Sequence, residues 1–389
     1  MSLKETMGGS LRQYGIMAAL VVVIAIAAAG TGGKLLMPNN VATLILQNSY
    51  VLILAVGMVM VIVAGHIDLS VGSVVAFIGG IIGWMAINWH MPWPLAVLAA
   101  LVVGVVIGAW HGFWVAYVRI PAFIVTLAGM LIFRGLALVI AGITMAGFDQ
   151  GFISIASGSL PHVFGFVANF DVVTLIIGVV GVVGLVWSQV RDRASQIKHG
   201  IAPEPFGFMV GKLIVISVGI LAVTAVLALS DGGTPFLLVI VGVLIFIYSF
   251  VLNRTVFGRH IYAIGGNLNA AILSGINTAR TNFMIFVHMG LLCGVAAVVV
   301  TSRAGAATAQ VGQNYELDAI AACFIGGTAV TGGIGKISGA MIGALIMGVL
   351  NMALSIAKID PAVQQTIKGF VLLAAVAFDL LSKRRAKVA

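Results

Sequence analysis

The sequence predicts an all-α, polytopic membrane protein, one integral membrane domain over residues 1–389, and three observations carry that prediction. The chain is 61% hydrophobic and 8% charged, against about 25% charged residues in a soluble domain. Its apolar residues gather in runs of about 17–25, the length an α-helix needs to cross roughly 30 Å of hydrocarbon. Its basic residues fall almost entirely on one side of the resulting zigzag, as cytoplasmic loops require.

Taken in order, the first run is 14–30. Lys4 and Arg12 before it, and Ala27-Ala28-Ala29 near its end, imitate a cleavable signal. The run is long for a signal core and everything after it is also apolar, so it reads as an uncleaved first span. Spans follow at 41–64, 71–89, 94–117 and 122–141. Gly104 and Gly108 have the small-residue spacing that lets membrane helices approach closely, which suits a chain with 49 glycines. Then come 170–190, 212–229, 236–253 and 281–302. The run at 317–331 is short and reads either as a further span or as a half-helix or re-entrant segment. Spans at 338–355, with Gly339 and Gly343 at the same small-residue spacing, and at 364–381 bring the total to about twelve.

With the N-terminus inside, Arg119, Arg191, Arg193, Lys198, Lys212, Arg254, Arg259, Arg280, Lys336 and the tail Lys383–Lys387 are cytoplasmic. Only Lys34, Arg303 and Lys358 lie outside, so both termini are placed in the cytoplasm. The net charge of +9 is accounted for by this asymmetry, not by a nucleic-acid-binding patch. Cys293 and Cys323 lack C-x-x-C spacing and read as small hydrophobes.

Two cytoplasmic connectors stand out. Arg191–Gly211, with Pro203 and Pro205, reads as a flexible linker. In 254–280, Asn267 can cap a short helix starting at Leu268, and Gly275 can end it in a left-handed conformation. Ala270, Ala271 and Ser274 would then form a smooth small-residue face. Such a helix is either a docking surface or an ordinary interfacial connector.

The chemistry-bearing motifs exclude several classes. Gly335-Lys336 imitates the tail of a phosphate-binding loop, but Val330 and Ile337 occupy positions that need Gly and Ser or Thr. Seven histidines are dispersed, with no metal-ligand or catalytic spacing, so no catalytic residue, metal or cofactor is expected. The acids avoid span centres, which counts against a proton relay.

Specific motifs remain. They are Gly65-His66-Ile67-Asp68-Leu69-Ser70-Val71-Gly72-Ser73, Ile120-Pro121-Ala122-Phe123-Ile124-Val125-Thr126-Leu127, Phe133-Arg134-Gly135, Gly258-Arg259-His260 through Gly265-Gly266-Asn267, Ser274-Gly275-Ile276-Asn277, Glu316-Leu317-Asp318-Ala319 and Gly326-Gly327-Thr328. Together they resemble the permease subunits of bacterial ATP-binding cassette importers for pentoses and related monosaccharides. Xylose and multiple-monosaccharide permeases are the most similar, and ribose permeases stand further away. The resemblance covers about 41–145 and 235–385; the region 146–234 looks like a pair of spans inserted in the xylose-like group.

The resemblance implies a type II importer-like permease fold and a division of labour. A periplasmic sugar-binding protein delivers the substrate, two permease copies form the path through the lipid, and a separate cytoplasmic ATPase binds ATP. It makes Gly265, Asn267, Ala270, Ala271, Ser274, Gly275 and Ile276 the loop that contacts the ATPase. Amino-acid or nucleoside permeases and an ion-coupled carrier stay open as alternatives, and a membrane enzyme stands behind them.

Five polar residues are candidates for the path or for structure. Asp68 and Ser70 lie either in a discontinuous helix lining the path or in a tight cytoplasmic turn capping the next helix; their placement inside favours the turn. Arg134 falls about 18 Å into its span by helical rise. An unpaired charge there is costly, so an ion pair with Glu316 or Asp318 is expected first and sugar contact second. Lys368, near a span end, is expected to snorkel.

Overall fold

The computed structural model describes the backbone of residues 3–200 and 203–388 and the side chains of 15–200 and 203–377. The helices, in chain order, are α1 (Leu3–Gly30), α2 (Pro38–Val63), α3 (Val71–Gly83, continued by a π turn Trp84–Asn88), α4 (Trp93–Ala116), α5 (Ala122–Ala141), α6 (Gln150–Ser157), α7 (Val172–Lys198) and α8 (Phe206–Ala228). They continue with α9 (Phe236–Arg254), α10 (Val256–Gly266), α11 (Leu268–Leu273), α12 (Thr278–Ala304), α13 (Tyr315–Ile325), α14 (Ile337–Ile356) and α15 (Pro361–Val388). Among the described residues, nine helices are long and apolar enough to span a bilayer, and α1 and α15 add the shorter apolar stretches Gly15–Gly30 and Pro361–Ala377. Lys4, Arg12 and the tail Lys383–Lys387, expected inside, lie outside the residues whose side chains are described.

Of the two readings of 317–331, the structure takes the half-helix. α13 has 11 residues, a rise of about 16 Å, roughly half the hydrocarbon thickness. It ends at Gly326, and Gly327 takes φ +85°, so the chain leaves the helix and runs on as a coil to α14.

α2 is the centre of the bundle: every residue from Val51 to Val63 is buried. α12 packs against it and against α4. The expected small-residue contact is present, because Gly104 lies on the backbone of Gly290 and Gly294, and Gly108 on that of Phe286 and Gly290, with no room for a Cβ. Gly339 and Gly343 likewise meet Gly326 and Ala322, bringing α14 onto α13. α1 runs along α14 through a small cluster of Ala27, Leu35, Leu44, Val349 and Met352.

The region 159–235 forms a peripheral arm. α7 and α8 pack mainly on each other, and most of their apolar side chains face outward. The arm's ends meet: Leu160 N–H donates to Thr234 O at 2.9 Å and Phe236 N–H donates to Gly158 O at 3.0 Å. α6, just before the arm, seats on α12. The Ser302 hydroxyl there donates to Phe152 O at 2.7 Å and accepts from Ala156 N–H at 3.0 Å. The expected flexible linker 191–211 is largely helix, since α7 continues to Lys198 and α8 starts at Phe206. Arg193 donates to Glu204 O at 2.5 Å and Lys212 meets the Glu204 carboxylate at 2.7 Å, so the turn between them is tied at both sides.

At the other end of α7, strands β2 (Phe166–Val167) and β3 (Phe170–Asp171) form a hairpin that delivers Asp171 as N-cap. Asp171 accepts from Thr174 N–H at 2.9 Å and from its hydroxyl at 2.5 Å, and lies 2.9 Å from His162 Nδ1. Burial pushes its carboxyl up, but the bonds from Thr174 and His162 outweigh this, and its pKa lies below the ordinary carboxylate value. A depressed folded pKa means its stabilisation is complete above the unfolded value of about 3.9 and is lost as pH falls through the folded one. Hydrogen-exchange protection at the start of α7, taken relative to the unstructured chain at the same pH, should therefore be high at pH 6 and fall in strong acid. Asp171→Ala should remove the pH dependence and about 1 kcal/mol of local protection.

Candidate functional site

Two broken elements meet in the middle of the bundle. The first is the stretch 64–70 between α2 and α3. It leaves the end of the bundle that carries α10 and α11, where Gly333 N–H donates to Val63 O at 2.8 Å. It then runs inward without helix. Asp68 is 3% exposed and Ser70 1%. Asp68 Oδ1 accepts from Ser70 N–H at 2.8 Å and from the Ser70 hydroxyl at 2.6 Å, and the Ser73 hydroxyl donates to Ser70 O at 2.7 Å. This corrects the expected tight turn with a helix cap. The Asp68 carboxylate closes a turn of its own, Ser70 makes no side-chain cap, and the segment is buried because it climbs into the protein.

The second element descends from the opposite end. After α12, strand β4 (Ala306–Ala307) pairs with β1 (Met145–Ala146), and Ala309 N–H donates to Ala141 O at 3.0 Å. The chain then turns inward to start α13 at Tyr315. Gly312, with φ +79°, lies flat on Gly72 at the start of α3; a Cβ on either residue would overlap the other's carbonyl oxygen.

Non-helical backbone inside the bundle needs donors for its carbonyls. Arg134 supplies them. Its Nη1 donates to Ala309 O and to Val311 O, both at 2.9 Å, and its Nη2 donates to Gly312 O at 3.1 Å. The planar five-donor fork suits three converging carbonyls as an ammonium would not. The expected ion pair of Arg134 with Glu316 or Asp318 is therefore replaced by main-chain capture.

Asp318 has other partners. The Tyr50 hydroxyl donates to it at 2.6 Å, and Lys368 Nζ lies 3.2 Å from both its oxygens. Lys368 thus turns inward to a buried carboxylate and does not snorkel. Tyr50, midway along α2, stacks on Tyr315 with ring centroids 3.7 Å apart. Glu316 faces Gly72, and its Oε2 is buried without a hydrogen-bond partner among the described residues. The five polar candidates therefore gather along one seam: Asp68 and Ser70 below Gly72, Arg134 and Glu316 at the Gly72–Gly312 contact, and Asp318 farther along α13. Gly72, Gly312 and Tyr50 were missed. The polar run Gln47-Asn48-Ser49-Tyr50 in mid-span and the sequence Gly312-Gln313-Asn314 before α13 were the available signals.

The connector α10–α11 lies at the end of the bundle where 64–70 begins. As expected, the Asn267 side chain accepts from Ala270 N–H at 3.0 Å to cap α11, and Gly275 ends it with φ +78°. The expected smooth face is corrected. Ala271 is turned inward at 3% exposure, whereas Leu273 is 89% exposed, with Leu268 and Ile272 half in solvent beside it. Ala270 and Ser274 are exposed and Ile276 is half-buried. Gly265 serves internal packing, since a Cβ there would strike the Val63 carbonyl. α10 was not foreseen; its signal is Thr255, whose hydroxyl accepts from Gly258 N–H at 3.2 Å as an N-cap.

The family described as "Branched-chain amino acid transport system / permease component" matches residues 40–376. The chain is 39% identical over 378 residues to the xylose transport system permease protein XylH of Escherichia coli (strain K12), covering 97% of this chain and 93% of the relative. It is 37% identical to the protein of the same name from Haemophilus influenzae, covering 97% and 98%. The ribose import permease protein RbsC of Escherichia coli (strain K12) is 33% identical over 88% of this chain and 85% of its own. No solved structure matches the chain significantly.

Proposed function

Because this chain belongs to the family of transport-system permease components, we propose that it is the membrane subunit of an ATP-binding cassette importer carrying a monosaccharide, xylose or a related pentose, into the bacterial cytoplasm. It is a multi-pass protein of the inner membrane and a transport subunit, not an enzyme. The observation that carries the reading is near-full-length identity to xylose permeases, set against a family description that names branched-chain amino acids.

In this reading the seam of broken elements is the path. Exposed backbone and polar side chains inside a bilayer occur where protein encloses them or where they line a cavity. A periplasmic binding protein loads the path, a second permease copy completes it, and a separate ATPase binds the nucleotide that drives it; the permease itself needs no cofactor. The α10–α11 end faces the cytoplasm with both termini, supported by Arg254, Arg259, Arg280 and Lys336 around it.

The test is uptake by the permease expressed with its ATPase and binding protein in cells lacking other pentose importers. Labelled xylose should enter and should stop entering when the ATPase is inactivated. Leucine uptake in its place, or sugar uptake that survives ATPase loss and collapses with the proton gradient, would overturn the reading.

The ATPase is proposed to dock on the apolar ridge of α11, with Leu273 inserted as its most exposed member. Leu273→Asp should leave the permease inserted yet reduce co-purification of the ATPase and sugar uptake by about tenfold or more, the scale of an interface anchor. Ala271→Trp should instead disrupt α11 locally, because Ala271 is buried. Unchanged co-purification and uptake in Leu273→Asp would make this loop a connector.

A further inference from the structure

Beside the seam, a cavity of about 230 Å³ opens between α13, α14 and α15. It is small against the roughly 300–1,000 Å³ of pockets for drug-sized ligands. Its polar lining is Asn314, Asp318, Gln365 and Lys368, and Leu317 and Met347 add apolar wall. It adjoins the point where the descending loop becomes α13, level with Tyr50 in the middle of α2.

We propose that this cavity is a binding subsite for the sugar within the permease, an inference that rests on the monosaccharide-import reading. The charges argue for a neutral ligand. Asp318 and Lys368 lie 3.2 Å apart and cancel, so a zwitterion or anion would find no free countercharge. A polyol needs none. Lys368 has three donors and spends one direction on Asp318, the carboxylate has lone pairs beyond those used by Tyr50 and Lys368, and the two amides each donate and accept. Neighbouring hydroxyls of a sugar can bridge such a mixed set, while the side chains of Leu317 and Met347 face its C–H surface. Gln365 and Leu317 are exposed, so the cavity is reached from outside the chain, where a second permease copy would enclose the path.

The chain offers a direct test, because its own thiols are silent: Cys293 is 2% exposed and Cys323 0%. In the permease–ATPase–binding-protein complex, a small charged methanethiosulfonate should modify a Gln365→Cys variant. Xylose at ten times its dissociation constant should slow that modification about tenfold, by mass action. Val363→Cys, on the same helix but outside the cavity lining and 49% exposed in the native residue, should react at a rate the sugar does not alter. If Gln365→Cys reacts equally with and without sugar, or if both variants are protected alike, the subsite is overturned while import by the wild-type complex leaves the parent reading standing. If the wild-type complex imports no monosaccharide, both fall.

Discussion

Arg134→Ala should abolish sugar uptake and reduce the yield of monodisperse permease. The guanidinium is the donor for the carbonyls of Ala309, Val311 and Gly312. Removing it leaves three main-chain acceptors without partners, at about 1–3 kcal/mol each before relaxation. A sum of that order is a large share of the roughly 5–15 kcal/mol by which domains are stable. Arg134→Lys keeps the charge but offers a point donor in place of a fork, and should recover only part of the loss. Fluorescence-detected size exclusion and uptake in the same cells measure both effects. Asp318→Asn should not rescue Arg134→Ala, because Asp318 is held by Tyr50 and Lys368. Rescue would restore the ion pair that the geometry replaces.

Gly312→Val should be at least as damaging. The residue combines φ +79° with a carbonyl of Gly72 where its Cβ would be. A left-handed conformation costs a non-glycine residue about 1–2 kcal/mol, a β-branched one more, and the overlap can be relieved only by separating the two broken elements. Gly72→Ala should fail for the second reason alone. Gly181→Ala, in α7 with nothing within reach of its Cβ, should be neutral or stabilise by up to about 1 kcal/mol. If Gly312→Val yields as much folded, transporting protein as Gly181→Ala, the contact at the seam is not structural.

What was legible in the sequence was whatever depends on local periodicity. The long apolar runs, the glycine spacings on α4 and α14 and the caps at Asn267 and Gly275 all reappear, because each is decided within a few residues. What depends on depth or partner was not legible. Hydropathy cannot distinguish a span from the 11-residue α13 when apolar coil continues the run through Val330. The sequence shows that Arg134 needs acceptors, but main-chain carbonyls leave no compositional trace, so acids were the visible partners. Ala271 and Ser274 look alike on a helical wheel, and only packing determines that the first turns inward.

The closed ends of the α7–α8 arm have a consequence for ancestry. A segment that leaves at Gly158 and returns at Phe236 through adjacent hydrogen bonds can be gained or lost in one genetic event without displacing what flanks it. A deletion that rejoins 158 to 236 through a two- or three-residue bridge should therefore leave the rest of the bundle folded, which the yield of monodisperse protein would show.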